Sequence, residues 1–269
     1  MALDVLLVTK GHVFDYNGFY AMFDENPQLN TTQVEQPAAQ VMLRPENVAD
    51  YDAVVFYDMW GFTPDDSGNY QLPPEDYQHS IKALLEQGIG LVLLNHAIVQ
   101  WPGWPLWKEV HGSSFTMRET VLDGVKVPVS GYRGGGHDPR GNITHFLSVC
   151  DSSHPVLQGL GDGFEVTDEL YLKTATFESR PDIVPLLRSD YSWVQENFNS
   201  LGPPEQRSNW NHPEGSNLVA WAKRSHNSPV VATDGGDGPS AYENPAFRQF
   251  LTNAITWVAS DAAKEWARS

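Results

Sequence analysis

The stretch that decides the fold is PPEDYQHSIKALLEQGIGLVLLNH, residues 73–96, because it joins a helix to a buried strand. Its first half predicts a helix: prolines open it, acidic residues fill the first turn, and Gly88 ends it. Its second half is a continuous apolar run, as expected of a strand that is buried on both faces. Asn95 and His96 end that run, so two polar side chains follow the strand directly.

Other apolar runs before and after this stretch predict further strands of the same sheet. They lie at residues 3–9 and 51–58, near 32–35, and at 217–225 and 228–236. Strands that alternate with helices are typical of an α/β fold with a mostly parallel open sheet and helices on both faces. Residues 244–269 predict a terminal helix that is capped by Asn244. We interpret residues 1–269 as a single domain.

The middle of the chain has a different pattern. Residues 113–132 contain two extended runs around Asp123-Gly124, a dipeptide favoured in tight hairpins, so we expect an antiparallel excursion packed on the main sheet. Residues 199–216 are polar and rich in proline and glycine, which predicts a surface loop or lid. Cys150 falls inside a predicted strand at 144–151, where we expect a buried and inert thiol.

Composition narrows the class of protein. The 269 residues have a net charge of -17, which disfavours nucleic acid and anionic membranes as partners. The single cysteine permits no internal disulfide, and the apolar run at the N-terminus is too short for a signal peptide or a membrane span. We therefore expect a cytoplasmic protein without a membrane partner.

Candidate site residues follow from the strand ends. In an open parallel sheet, ligands bind beyond the carboxyl ends of the strands. The polar residues that follow predicted strands are His12, Asp15, Asp58, Asn95, His96 and Asp234. We expect them to converge on one edge of the sheet. The alternative for each histidine is an ordinary strand-end residue that is hydrogen-bonded to backbone.

The chemistry of the candidates favours acid–base catalysis or a metal. The sequence has no G-x-S-x-G, P-loop, H-E-x-x-H or paired C-x-x-C motif, and histidines and carboxylates remain. The histidines considered as metal ligands are His12, His96, His137 and His154. Asp168, Glu169 and Tyr171 form a further polar group, for which a solvated acidic turn is the alternative.

Aromatic residues are dense in the predicted loops. They are Trp60, Trp101, Trp104, Trp107, Tyr132, Trp193 and Trp210. A cleft lined by aromatic rings and by Asn, Asp and His side chains fits a carbohydrate, with Trp101 as a candidate stacking surface. The competing interpretation is that these rings fix long loops to the core. Exposed tryptophans also suit a homo-oligomer interface.

The order of motifs resembles the trehalose-utilisation (ThuA-like) family over roughly residues 3–258. The matching pieces are GHVFDYNGF, YDAVVFYD, EQGIGLVLLNHA followed by W-x(2)-W-x(2)-W, HPVLQGL with FEVTDELY, and NPAFRQFLTNAITW. The resemblance implies a flavodoxin-like sheet similar to that of class I glutamine amidotransferases. It also implies a role in disaccharide breakdown, since members often occur beside oxidoreductases that produce 3-keto-sugars. The residues that match the family's motifs are His12, His96, His154, Asp168, Glu169 and Tyr171, and His137 matches loosely.

The sequence departs from these families at two places. The cysteine nucleophile of amidotransferases is replaced by Asn95-His96, so glutamine hydrolysis is not expected. The Gly-His that usually follows the last strand reads ATDGGDG here, so that Asp234 or Asp237 would have to take its place.

The resulting hypothesis is an enzyme acting on a sugar or a 3-keto sugar derivative, of lyase, hydrolase or isomerase type, with a divalent metal as a candidate cofactor. Its expected catalytic residues are His96, His12, Glu169 and Tyr171. Its expected substrate-binding residues are Asp15, Asp58, Asn95, Trp101, His137, Asp168 and Asp234. The alternative is a non-catalytic sugar-binding or regulatory protein on the same scaffold. A hydrolase of amide-like substrates ranks last, because no nucleophile is evident.

Overall fold

The computed structural model describes residues 2–122, 124–136 and 138–269. The strands are β1 (Leu3–Thr9), β2 (Leu29–Glu35), β3 (Ala53–Phe56), β4 (Gly90–Leu94), β5 (Thr120–Leu122), β6 (Val125–Val127), β7 (Gly131–Arg133), β8 (Ile143–Val149), β9 (Gly163–Asp168), β10 (Leu170–Leu172), β11 (Val184–Ser189), β12 (Asn199–Ser200), β13 (Leu218–Ser225) and β14 (Ser228–Thr233). The helices are α1 (Tyr16–Asp24), α2 (Ala39–Met42), α3 (Pro45–Val48), α4 (Glu75–Gln87), α5 (Pro105–His111), α6 (Pro239–Tyr242), α7 (Pro245–Ala259) and α8 (Asp261–Arg268). Short 3₁₀ turns at Asn95–Val99, Pro155–Leu157, Ala175–Ser179, Gln195–Asn197 and Pro204–Asn209 complete the regular structure.

One large mixed sheet organises the described residues, with strand order β2-β1-β3-β4-β14-β13-β11-β8-β9. The strands from β2 to β14 pair in parallel, and those from β14 to β9 pair antiparallel. The carboxyl ends of β1, β3, β4 and β14 therefore meet at one edge. The α/β fold predicted from the sequence is confirmed, and the antiparallel part extends further than the sequence pattern indicated.

Helices cover both faces of this sheet. On one face, α1 and α7 bury a core that includes Phe19, Phe250 and Ile255. On the other face, α4 and α5 bury a second core that includes Ile81 and Trp107. The inner strands of the parallel half, β1, β3, β4 and β14, are mostly buried on both faces, which explains why the sequence shows them as continuous apolar runs, whereas the edge strand β2 is partly exposed.

The ends of the helices follow the sequence signals closely. Gly88 ends α4 with φ 82°, a conformation that glycine adopts without strain. The Asn244 side chain accepts hydrogen bonds from the backbone N–H groups of Ala246 and Phe247 and so caps α7. The expected terminal helix is divided at Ser260, which ends α7 and caps α8. None of the helices in the described part of the chain has the length and apolar character needed to cross a membrane.

In the middle of the chain, the predicted hairpin is present, but the predicted burial of Cys150 is not. The hairpin strands β5 and β6 pair antiparallel as expected, although Asp123 of the predicted turn lies outside the described residues. The thiol of Cys150 is exposed, so the expectation of a buried cysteine is wrong. Cys150 directly follows β8, and the alternation of the strand places it on the same face as Thr144, Phe146 and Ser148, which are exposed.

Candidate active site

Loops after four strand ends bring imidazoles and carboxylates together. His12 follows β1, Asn95 and His96 follow β4, Asp237 follows β14, and Glu169 follows β9. Asn95 has φ 48°, in the left-handed region that asparagine tolerates better than most residues. This backbone turn redirects the chain directly after β4 and leaves His96 facing its neighbours at the sheet edge.

The centre of the cluster is formed by His12, His96 and Asp237. The two imidazole rings lie 3.9 Å apart between centroids, and His12 Nε2 is 3.4 Å from Asp237 Oδ1. Potential ligand atoms of the three residues all lie within 4.8 Å of one another. The side chains of His12 and Asp237 are 22% and 12% exposed, so the cluster is accessible from solvent.

The ring of His96 is held on both sides. Its Nε2 lies 2.9 Å from the carbonyl oxygen of Tyr57, which can only accept, so this nitrogen has the proton and donates. Its Nδ1 lies 2.6 Å from Asn95 Oδ1, while Asn95 Nδ2 donates to the carbonyl oxygen of Asp234 at 2.7 Å. Burial, followed by the neighbouring His12, lowers the pKa of His96 well below its ordinary value. His96 is therefore neutral near pH 7.

Asp168 holds the loop that presents Asp237. Its buried carboxylate accepts backbone N–H bonds from Gly236 at 2.6 Å, from Asp237 at 3.1 Å and from Glu169 at 2.9 Å. Burial raises the pKa of Asp168 to about 7, and the Gly236 N–H opposes this rise. The side chain thus links the loop after β14 to the end of β9 and has a positioning role.

Glu169 and Tyr171 lie beside this cluster. The Tyr171 hydroxyl is 3.2 Å from both Asn95 Oδ1 and Glu169 Oε2, and it can donate its single proton to either oxygen. Burial, and then the negative charges of Asp237 and Asp168, raise the pKa of Glu169 well above its ordinary value. The Glu169 side chain is nevertheless partly exposed. It is a carboxyl group with raised proton affinity at the margin of an accessible site.

Two predicted substrate-binding carboxylates lie in the interior instead. Asp58 is fully buried and accepts a hydrogen bond from Gln36 Nε2 at 2.9 Å. Asp234 is paired with the fully buried Lys173, and its backbone carbonyl accepts from Asn95. Both carboxylates are buried, so neither offers a surface to a ligand that approaches from solvent.

The remaining predicted residues lie at varied distances from the cluster. Asp15 is exposed at the start of α1, and its side chain does not cap that helix. Trp101 is buried with Tyr77 and Trp104, a position that fits the alternative in which tryptophans fix loops to the core. His154 caps a 3₁₀ turn through Nδ1 and packs on Trp257. His137 lies outside the described residues.

Asp237 is the functional candidate that the strand-end pattern did not single out. The sequence TDGGDG after β14 contains two acids, and the pattern favours Asp234, the nearer one. Gly236, with φ 103°, turns the loop so that Asp237 reaches His12. The sequence feature that pointed to Asp234 or Asp237 is the segment ATDGGDG, which stands where Gly-His usually follows the last strand in the family.

Comparisons with known proteins agree with this architecture. The family model ThuA, described as trehalose utilisation, matches residues 4–258. A ThuA-like protein from Parabacteroides merdae superposes with a TM-score of 0.63 at 16% identity, covering 97% of this chain and 91% of that chain. A ThuA-like protein from Bacteroides uniformis gives 0.63 at 16% identity, with coverages of 96% and 92%. A cytoplasmic protein of Salmonella typhimurium gives 0.57 at 12% identity, with coverages of 95% and 99%. No curated protein sequence is a significant match.

Proposed function

Because this chain belongs to the ThuA family, described as trehalose utilisation, we propose that it is an enzyme acting on a sugar or an oxidised, 3-keto, sugar derivative. The reaction begins with removal of a proton next to the ketone. Isomerisation of the keto-sugar, or loss of its anomeric substituent, then follows. The small-molecule partner is a carbohydrate.

One observation supports this proposal most strongly. Two imidazoles and two carboxylates, from His12, His96, Asp237 and Glu169, meet at the solvent-accessible edge of the sheet, although they belong to four separate loops. A purely structural role would favour burial and complete pairing of such groups. Clusters with perturbed proton affinities at an accessible strand-end site are typical of acid–base catalysts.

Glu169 is the base in this proposal. Raising the proton affinity of a carboxylate makes it a better acceptor of a proton from carbon. His96 is a poor candidate for that role, because both of its nitrogens face protein oxygens.

The C–H bond next to the ketone breaks, its proton moves to the Glu169 carboxylate, and the electron pair forms the carbon–carbon double bond of an enediolate. The negative charge then lies on the former ketone oxygen, next to His12. In isomerisation, the hydroxyl proton of the neighbouring carbon moves to this oxygen, and Glu169 returns its proton to the former ketone carbon, which gives the isomeric ketone. In elimination, the ketone re-forms, the electron pair of the double bond moves to form a new double bond to the anomeric carbon, and the bond to the anomeric substituent breaks. The departing oxygen takes the proton from Glu169.

The test is incubation of purified protein with 3-keto-disaccharides, with and without divalent metal ions, followed by product analysis. Formation of an isomeric or cleaved sugar supports the proposal. Absence of turnover under both conditions contradicts it. Tight calorimetric binding of an unmodified sugar without product would instead favour a non-catalytic sugar-binding or regulatory protein.

A further inference from the structure

We propose that His12, His96 and Asp237 bind one divalent transition-metal ion, next to Asn95 Oδ1. The role of such an ion in turnover, polarising the ketone oxygen, rests on the proposed function. Its binding does not, so the two can be tested separately.

The spacing of the donor atoms supports a metal better than a hydrogen bond. His12 Nε2 and Asp237 Oδ1 are 3.4 Å apart, longer than an ordinary charge-assisted hydrogen bond. Metal–ligand distances of about 2.1 Å in a tetrahedral site place neighbouring ligand atoms roughly 3.4 Å apart. The three side chains keep their donor atoms within 4.8 Å, close enough for one ion to reach all of them after small adjustments.

The hydrogen bonds of His96 supply a second observation. Nε2 of His96 faces the Tyr57 carbonyl oxygen, which can only accept, so Nε2 carries a proton. Nδ1 lies 2.6 Å from Asn95 Oδ1, which also can only accept and which lies 3.2 Å from the Tyr171 hydroxyl. Two acceptor atoms at this distance need a positive charge beside them, which is either a second ring proton or a bound cation. A cation bound by Nδ1 provides that charge, and the N–H bond to Tyr57 fixes the tautomer that such a ligand needs.

The backbone of the third ligand, Asp237, is also held by hydrogen bonds. Asp168 receives the N–H groups of Gly236 and Asp237, and the hydroxyl of Tyr242 donates to the Asp237 carbonyl oxygen at 3.0 Å. The backbone that presents the Asp237 carboxylate is therefore fixed on two sides. Metal ligands in proteins are commonly oriented by hydrogen bonds of this kind.

The donor set indicates the class of metal. Two imidazoles and one carboxylate suit Zn²⁺, Fe²⁺, Co²⁺ or Mn²⁺, whereas Ca²⁺ and Mg²⁺ prefer oxygen ligands alone. Three protein ligands leave coordination positions for water or a substrate oxygen, as in catalytic sites. Without a metal ion, protons on both ring nitrogens of His96 would account for its contacts with Asn95 and Tyr57.

The experiment removes metal from the protein with a chelator and then titrates the protein with Co²⁺, followed by calorimetry and visible absorption. We expect one ion per chain. His12→Ala and Asp237→Asn should each weaken binding more than about 100-fold, beyond the loss seen when only an orienting group is changed. His79→Ala removes an exposed histidine of α4 and should leave Co²⁺ binding unchanged.

Two results would overturn the site: no stoichiometric binding by the unmodified protein, or binding that both ligand variants retain at full strength. The latter would mean an adventitious surface site. If either ligand variant fails to fold, the other variant and the absorption spectrum of bound Co²⁺ decide the question. Metal binding without turnover of keto-sugars would contradict only the proposed function, and turnover by metal-free protein would contradict only the role of the ion.

Discussion

His12 Nε2 and Asp237 Oδ1 lie 3.4 Å apart, although one follows the first strand and the other the last. This proximity is a consequence of topology, because β1, β3, β4 and β14 run parallel side by side and end at the same edge. The site therefore depends on the sheet for its coarse geometry. Its fine geometry depends on the turns that follow each strand.

Replacing Glu169 with glutamine removes the proposed base while keeping the shape of the side chain. We expect kcat on a 3-keto-disaccharide to fall at least about 100-fold, with little change in KM, because loss of a general base acts on the chemical step. Steady-state kinetics measures this. Glu196→Gln, at an exposed position, is the matched control and should retain full activity. Equal kcat values for the two variants would remove Glu169 from the mechanism.

Asp168→Asn should disturb the site without unfolding the protein. The amide cannot accept from Gly236 while its oxygen accepts from Glu169 and Asp237, so the loop after β14 loses a hydrogen bond. We expect stability to fall by about 1–3 kcal/mol and Co²⁺ affinity by roughly 10–100-fold. Chemical denaturation and calorimetry measure the two quantities. Asp190→Asn changes an exposed carboxylate that also accepts one backbone bond, from Phe146, and should affect stability alone.

Buried Asp58 should make stability depend on pH. Burial raises its pKa from 3.8 to about 7, so the folded protein keeps this proton longer than the unfolded chain does. The contribution of Asp58 is complete below pH 4 and is lost as pH rises towards 7. Asp58→Asn cannot ionise, and its stability relative to wild type should therefore increase between pH 4 and 7, by up to about 4 kcal/mol.

Urea denaturation at several pH values measures this difference between Asp58→Asn and the wild type. The exposed Asp66→Asn serves as control and should follow the wild-type curve. A constant difference between Asp58→Asn and wild type across the range would show that Asp58 titrates normally.

Removing one member of the buried ion pair Lys173–Asp234 should lower the free energy of unfolding strongly. Lys173→Met leaves a carboxylate without its partner in the interior, and we expect a loss of about 3–5 kcal/mol. The double variant Lys173→Met/Asp234→Asn removes both charges and should regain most of that loss. Free energies of unfolding from urea titrations test this, and a double variant no more stable than the single one would refute the explanation.

Much of the fold could be predicted, because strands and helices of its parallel half have clear patterns in the sequence. Strands such as β4 are apolar throughout, and α4 is bounded by prolines and by Gly88. The antiparallel half was harder to predict. β8 alternates between buried and exposed residues, and β11 contains Pro185, so neither gives a long apolar run. Pairing partners for such strands depend on contacts far along the chain.

The strand-end rule brought His12, Asn95 and His96 together from sequence alone, and it failed to separate Asp234 from Asp237. Both acids follow β14, and the choice between them depends on the turn at Gly236 and on Asp168, which belongs to β9. Asp58 shows the same limit, because it is fully buried and accepts a hydrogen bond from Gln36, which follows β2. The direction of a side chain after a strand is set by partners that are distant in sequence.

The proposed proton removal is tested most directly by hydrogen exchange on a 3-keto-disaccharide in deuterium oxide, followed by NMR. The account predicts that the wild-type protein catalyses deuterium incorporation at a carbon next to the ketone, faster than buffer alone, and that Glu169→Gln abolishes this acceleration. Exchange at the buffer rate with wild-type protein, under conditions where calorimetry shows the sugar bound, would contradict it.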